Sequence, residues 1–379
     1  MSDEHPPQEP SVVLELSRRK GTAAVRASLV GAQRVAAPYV TMTRIALARL
    51  GRDRLARAGA LVLACLALVA VFADLLASDR PIACRWHGVL YLLPDVTHPA
   101  GLAGLDAAAM QRDRAPGDWV LSPLVAHGPN EVGMEYDAML APLSPGHPLG
   151  TDALGRDLFA RVVHGTRTAL GLGLAASLVL VAIGVALGGL AGFAGGVVDS
   201  LVSRAVESLT AIPTLVLVLV VGALVPHPTT ATLLWTIALT RWTELARLVR
   251  AEVLRGLGED YATAARALGA SPARVLLRHV MPNAIGPAIV AAAFGVASVV
   301  LLEAAVDFLR VGSPDTMASW GEAMGEARAS TGAWWLVVFP GAALLATLVS
   351  LNLVGEAARD ALDPKLRGAS SDLGGGVGG

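Results

Sequence analysis

Residues 168–194 read TALGLGLAASLVLVAIGVALGGLAGFA, an unbroken run without a single charge. A helix needs about 20 mostly apolar residues to cross the ~30 Å of hydrocarbon in a bilayer, so this run is long enough by itself. Working outward, comparable runs cover roughly 59–77, 205–225, 229–246, 286–306 and 332–354. One such run is readily the buried helix of a soluble domain; six in one chain are not. Composition points the same way, with 54% hydrophobic and only 16% charged residues, against about 25% charged in an ordinary globular chain. Mean hydropathy is +0.57. The expected fold is an all-α polytopic membrane protein with six transmembrane helices. A net charge of −1 offers nothing to nucleic acid, and lipid is the expected surrounding. Cys65 sits inside an apolar run and Cys84 outside it, which makes them poor disulfide partners.

Basic residues set the expected orientation. Ten lie between positions 18 and 57, a second group is Arg247, Arg250, Arg255, Arg266, Arg274 and Arg278, and a third is Arg359, Lys365 and Arg367. With an inside N-terminus, six spans put all three groups on the cytoplasmic face, as the positive-inside rule requires. Both termini are then cytoplasmic. The chain divides accordingly. Residues 1–40 are a disordered cytoplasmic tail. Residues 42–77 are a basic amphipathic helix followed by the first span. Residues 78–166 form an extracytoplasmic insertion between spans one and two, in which 86–93 (WHGVLYLL) reads as a hairpin with a His-Gly turn. The main transmembrane domain is 167–356, and 357–379 is a cytoplasmic tail.

Between spans four and five, residues 260–283 read DYATAARALGASPARVLLRHVMPN. Tyr261, Ala264, Ala265 and Leu268 fall at i, i+3, i+4 and i+7, an apolar stripe on a short helix with small alanines. Gly269 is placed to end that helix in a left-handed conformation. Ser271 caps a second short helix, and Pro272 occupies its first turn, where a missing N–H costs nothing. Arg274 and Arg278 share a face, and Pro282 opens the fifth span. The expectation is a sharp elbow at the membrane's inner surface. Physics alone leaves two uses open, a connector resting on the bilayer or a docking element.

This stretch resembles the EAA loop of importer-type ABC permeases. Ala264, Ala265, Gly269 and Pro282 stand in that motif's positions, with Thr263 where the family has glutamate. Residues 147–165 (HPLGTDALGRDLFARVVHG), Ser319-Trp320-Gly321, Phe339-Pro340-Gly341, Asn352-Leu353 and 360–367 (DALDPKLR) are similar to further blocks of the dipeptide, oligopeptide and nickel branch. The resemblance implies a type I importer permease whose coupling loop spans 252–283. It also implies a second, homologous permease as heterodimer partner, two ATP-binding-cassette ATPases, an extracytoplasmic solute-binding protein, and a bacterial inner membrane. A di- or oligopeptide is the implied cargo, with nickel or a peptide-like antibiotic as alternatives. ATP and magnesium would belong to the ATPases: the chain has no GxxxxGK[ST] loop and no catalytic constellation, so no cofactor and no enzymatic activity are expected.

Other residues are weighed against plainer roles. Gly184, Gly188, Gly192 and Gly196 recur every four residues, which suits close helix packing. Glu303 and Asp307 share a helix face within lipid, where a carboxylate costs about 2.5–3.5 kcal/mol, so they should face protein or water. Lining the translocation path and ion-pairing, for instance with Arg310, are both open. His147, Asp152 and Asp157 have metal-ligating chemistry, but the surrounding proline and glycine favour a structural turn, and no metal is expected. The rival to a transport role is a membrane sensor or scaffold with an extracytoplasmic domain, supported only by the long segment after span one.

Overall fold

The computed structural model describes residues 53–102, 104–105, 107–133, 138–310, 318–330 and 332–362. The expected tail over 1–40, most of the amphipathic segment, the turn over 311–317 and residues 363–379 lie outside the described residues. Helix α1 is Arg54–Val71, capped by Asp53, whose carboxylate accepts from the Leu55 N–H at 2.9 Å. Helix α2 is Leu158–Ala194, 37 residues capped by Asp157 through the Ala160 N–H at 2.8 Å. Then come α3 (Gly196–Thr210), α4 (Thr214–Leu224) and α5 (Thr230–Leu257). Helices α6 (Asp260–Ala267), α7 (Met281–Leu309), α8 (Trp320–Glu326) and α9 (Trp335–Leu362) complete the main body.

Four stretches are long and apolar enough to cross a membrane: Arg54–Val71, Leu158–Ala194, Pro272–Leu309 and Trp335–Ala361. A fifth is added if α3 and α4 count as one span. Two of the six expected runs therefore differ from straight apolar helices. The run over 205–225 is broken, because α3 and α4 meet at 81°. Pro213 lies at the break; it has no N–H to donate and disfavours helical backbone at Ile212. The run over 229–246 lies inside α5, which continues to Leu257 and carries Arg241, Glu244, Arg247, Arg250 and Arg255.

The most extensive packing is between α2 and α5. Glycine makes it possible. A Cβ on Gly184 would stand 2.9 Å from the Leu245 Cβ, one on Gly192 2.9 Å from the Arg250 carbonyl, and one on Gly188 would run into the Ala246 backbone. Gly196 is the exception in the predicted row. It lies past the end of α2, at φ +52° with open space around it, because the chain has already turned at Gly195. Asp199 of α3 accepts from Arg250 Nη2 at 2.6 Å, which ties α3 to the same helix. At the other side of the body α1 lies on α9, where Gly59 closely approaches Leu353.

Between α1 and α2 the chain forms a small antiparallel sheet, β1 (Ala83–Trp86), β2 (Val89–Leu92) and β3 (Trp119–Leu121), in the order β2-β1-β3. His87 and Gly88 link β1 to β2 with φ of 49° and 80°. Positive φ at both central residues is what a type I′ hairpin turn requires, and it matches the right-handed strand twist. Cys84, Trp86, Leu102 and Met110 form the sheet's own core. Cys84 is buried there and Cys65 is exposed on α1; both are free.

Candidate functional site

At the end of the body where α5 stops, three segments crowd together. A Cβ on Gly256 would lie 2.8 Å from the Tyr261 hydroxyl and 3.0 Å from Val280. The Arg266 guanidinium turns back to donate to the Leu257 carbonyl, one of the free carbonyls at the end of α5. Helix α6 ends in a Schellman motif: the Ala270 N–H bonds to the Ala265 carbonyl at 3.0 Å and the Gly269 N–H to the Arg266 carbonyl at 2.9 Å. Gly269 takes φ +83°. Ser271 then accepts from the Arg274 N–H, with Pro272 at the first turn.

Two expectations about this elbow are corrected. The stripe of Tyr261, Ala264, Ala265 and Leu268 is not covered as one surface. Ala262 and Ala265 are buried with Tyr261 partly covered, whereas Ala264 is exposed and Leu268 is 89% exposed. The Leu268 N–H still bonds to the Ala264 carbonyl at 3.0 Å, so Leu268 follows Ala264 on the uncovered flank of the helix. The second short helix is also not separate. Pro272–Arg274 leads into a π-helical turn at Val275–Val280 and then into α7, a continuous 38-residue rod. The Met281 N–H reaches back to the Leu276 carbonyl, and Pro282, which has no N–H, follows directly. Pro282 therefore sits within the rod. Arg274, Leu277 and Arg278 are exposed along it, beside exposed Leu268.

At the opposite end, near the start of α2, lies a buried charge network that sequence reasoning did not single out. Arg156 Nε donates to Asp152 at 2.6 Å and its Nη2 to Glu326 at 2.6 Å, with Glu322 at 3.4 Å. Arg161, only 1% exposed, lies 2.9 Å from Glu322 and 3.5 Å from Asp152. Arg310 approaches Glu322 at 3.9 Å. Three guanidiniums thus face three carboxylates. Burial raises the Glu326 carboxyl above its usual range and Asp152 adds to that, against the pull of the two buried arginines. Trp320 Nε1 donates to the Val162 carbonyl at 3.0 Å, and a Cβ on Gly165 would collide with the same indole. The blocks at 147–165 and 319–321, separate in sequence, are one structural unit. Its only sequence signal was arginine and acid beside an apolar run.

Glu303 and Asp307 belong to this end as well. They are 1% and 3% exposed, and Ser319 at the start of α8 donates to Glu303 at 3.2 Å. Both are buried within the chain's own helices. Arg310 sends its guanidinium toward Glu322 at 3.9 Å, while its N–H bonds to the Asp307 carbonyl at 2.9 Å. His147 meets Asp157 at 2.8 Å, while Asp152 is taken up by Arg156. The three residues weighed as metal ligands are therefore divided between two structural contacts.

The family described as binding-protein-dependent transport system inner membrane component matches residues 184–368, and the N-terminal transmembrane domain of oligopeptide transport permease C matches 41–84. Over 227 residues the chain is 37% identical to the oligopeptide transport system permease protein of Bacillus subtilis (strain 168), covering 60% of this chain and 74% of that one. The chain belongs to this family of binding-protein-dependent permeases. The permease is also 38% identical over 223 residues to a di/tripeptide transport system permease protein of Pseudomonas aeruginosa (strain UCBPP-PA14), covering 59% and 73%. A probable D,D-dipeptide transport system permease protein of Escherichia coli (strain K12) is 35% identical over 254 residues, covering 66% and 84%. The permease is a multi-pass membrane protein. Its elbow and α8 lie inside the longer match, while Asp152, Arg156 and Arg161 lie outside both.

Proposed function

We propose that this permease is one half of the membrane pathway of an ATP-driven importer of di- or oligopeptides. The observation that carries the reading is identity of 35–38% to three peptide permeases over most of their length. In this reading the elbow at 252–283 faces the cytoplasm and docks on an ATPase. Leu268 and Leu277 offer uncovered apolar contacts there, framed by Arg274 and Arg278, while Ala262 and Ala265 hold α6 to its own chain. A second permease completes the pathway, and a binding protein delivers the solute against the segment at 78–166. ATP binding closes the ATPase pair and moves the docked elbow as a rigid body; the spans open outward, and hydrolysis resets them. Six spans follow if α3 and α4 form one broken crossing and α5 another.

Two experiments test this. With a second permease, two ATPases and the binding protein in proteoliposomes, alanyl-alanine should accumulate only when ATP and the binding protein are both supplied. ATP hydrolysis without peptide uptake would count against the assignment. For topology, single cysteines replace Ser122 and Ser271 in a background lacking Cys65 and Cys84. In intact spheroplasts an impermeant thiol reagent should label Ser122→Cys but not Ser271→Cys. Labelling of both from outside would overturn the six-span, N-inside arrangement.

A further inference from the structure

Arg241 and Glu244 are charges in the interior of α5. At 1.5 Å per residue, Arg241 lies about 16 Å and Glu244 about 21 Å along the helix from Thr230. A hydrocarbon layer of ~30 Å that begins near Thr230 puts Arg241 near mid-depth and Glu244 about two-thirds of the way across. Around them the buried face of α5, with Ile237, Ala238, Leu245, Ala246 and Val249, packs into the core. Arg241 lies on that face, four residues from both Ile237 and Leu245, and Glu244 lies at its edge. Arg241 Nη2 stands 3.4 Å from Glu244 Oε2, with the arginine side chain 23% and the glutamate 61% exposed. Each group therefore retains capacity for further partners. The pair borders a cavity of about 80 Å³, whose other walls are Leu245 of α5, Leu180 of α2 and Ala291, Ala292 and Gly295 of α7. The α7 wall is small-chained, and a Cβ on Gly295 would meet nothing within 4 Å. Toward the start of α5, Thr232, Thr236 and Thr240 continue a partly polar line at four-residue spacing.

Ionisable groups at mid-membrane face a protein interior or water, since lipid tails satisfy neither charge. Glu303 and Asp307 are enclosed by their own chain, whereas Glu244 is uncovered. Resting on the peptide-importer reading, we infer that Arg241 and Glu244 are the mid-pathway contact for a solute with free charged ends. Arg241 takes a terminal carboxylate, for which its planar fork of donors is matched, and Glu244 takes a terminal ammonium. Each charge satisfies the other when the pathway is empty and is released to the solute when it is filled. The α7 wall of Ala291, Ala292 and Gly295 offers no polar side chain to the solute's side chains, so the ends of the solute rather than its side chains are selected.

The test uses the assembled importer in proteoliposomes. Arg241→Gln should lower initial uptake of alanyl-alanine tenfold or more and narrow the difference between this dipeptide and its C-terminal amide. Glu244→Gln should do the same for the difference between the free and the N-acetylated dipeptide. Separately, Glu244→Cys in a background lacking Cys65 and Cys84 should react with a charged, membrane-impermeant thiol reagent, and saturating alanyl-alanine should slow that reaction. Unchanged discrimination in both glutamine variants, or a Glu244→Cys that does not react, overturns the inference. If the unmodified complex hydrolyses ATP yet takes up no alanyl-alanine, the peptide-importer reading fails first. Thiol reactivity then still decides whether this position faces water, and a lack of it sinks the inference on its own.

Discussion

A permease carrying Gly269→Val should reach the membrane in normal amount and pair with its second permease, yet support less than about a tenth of normal uptake. The cause is backbone rather than crowding, because a Cβ at this position would meet nothing within 4 Å. The residue holds φ +83°, a conformation that costs L-residues about 1–2 kcal/mol and β-branched ones more. Relieving the strain opens the Schellman turn and loses the bonds from Ala270 to Ala265 and from Gly269 to Arg266. Helix α6 is only eight residues long and is anchored through Ala262, Ala265 and Arg266, so losing the turn frees its C-terminal end first. Its exposed Ala264 and Leu268 would then point elsewhere, while the spans, held chiefly by the packing of α2 on α5, remain. Gly269→Asn is the informative companion. Asparagine visits left-handed backbone readily and should keep most of the uptake. Uptake and ATPase co-purification, measured beside expression level, check both variants. Normal uptake by a well-expressed valine variant would return the elbow to a simple surface connector.

The second large effect is expected at Arg161. Its side chain is fully buried and meets Glu322 and Asp152 as ion pairs. Removing one member of a buried pair strands the other charge and typically costs about 3–5 kcal/mol. Arg161→Met should therefore lower the thermal transition of the purified permease in detergent by on the order of 10 °C. Replacing the stranded partner too, as Arg161→Met with Glu322→Gln, should recover part of that loss. Arg156 would still have Asp152 and Glu326. A single variant that melts with the wild-type protein would mean that water or a neighbouring subunit already carries this charge.

These two sites differ in how far the sequence exposes them. The elbow is local. Gly269, Ser271 and Pro272 each act on backbone within a few residues, so their order alone predicts the turn. The network is not local: Arg156 reaches Glu322 and Glu326 across 166 and 170 positions. No spacing rule spans that distance, and only the docking of α8 beside α2 creates the pairs. Intermediate cases failed for identifiable reasons. The helical template placed Leu268 correctly beside Ala264 but could not say which flank of α6 the body covers, and it counted Gly196 although Gly195 had already ended α2. Apolar composition hid the break at Pro213, since hydropathy sums over a bend as easily as over a straight rod. Charge in α5 was visible, but whether Glu244 is covered or open depends on which face α2 takes.

The π-helical turn at Val275–Val280 changes the angular bookkeeping of the rod. Relative to a plain α-helix, such a turn accommodates an extra residue, and one residue corresponds to about 100° of rotation. Positions 272–274 and 282–309 therefore follow two different helical wheels. A single wheel drawn through the whole rod would assign Arg274 the wrong azimuth relative to Ala288 or Glu303. Deleting one residue within 275–280 would leave composition and hydropathy nearly unchanged. It would let the turn revert to plain α-helix, returning the whole rod to one helical wheel while the elbow keeps its place, so the π turn absorbs one residue that the elbow's direction does not need.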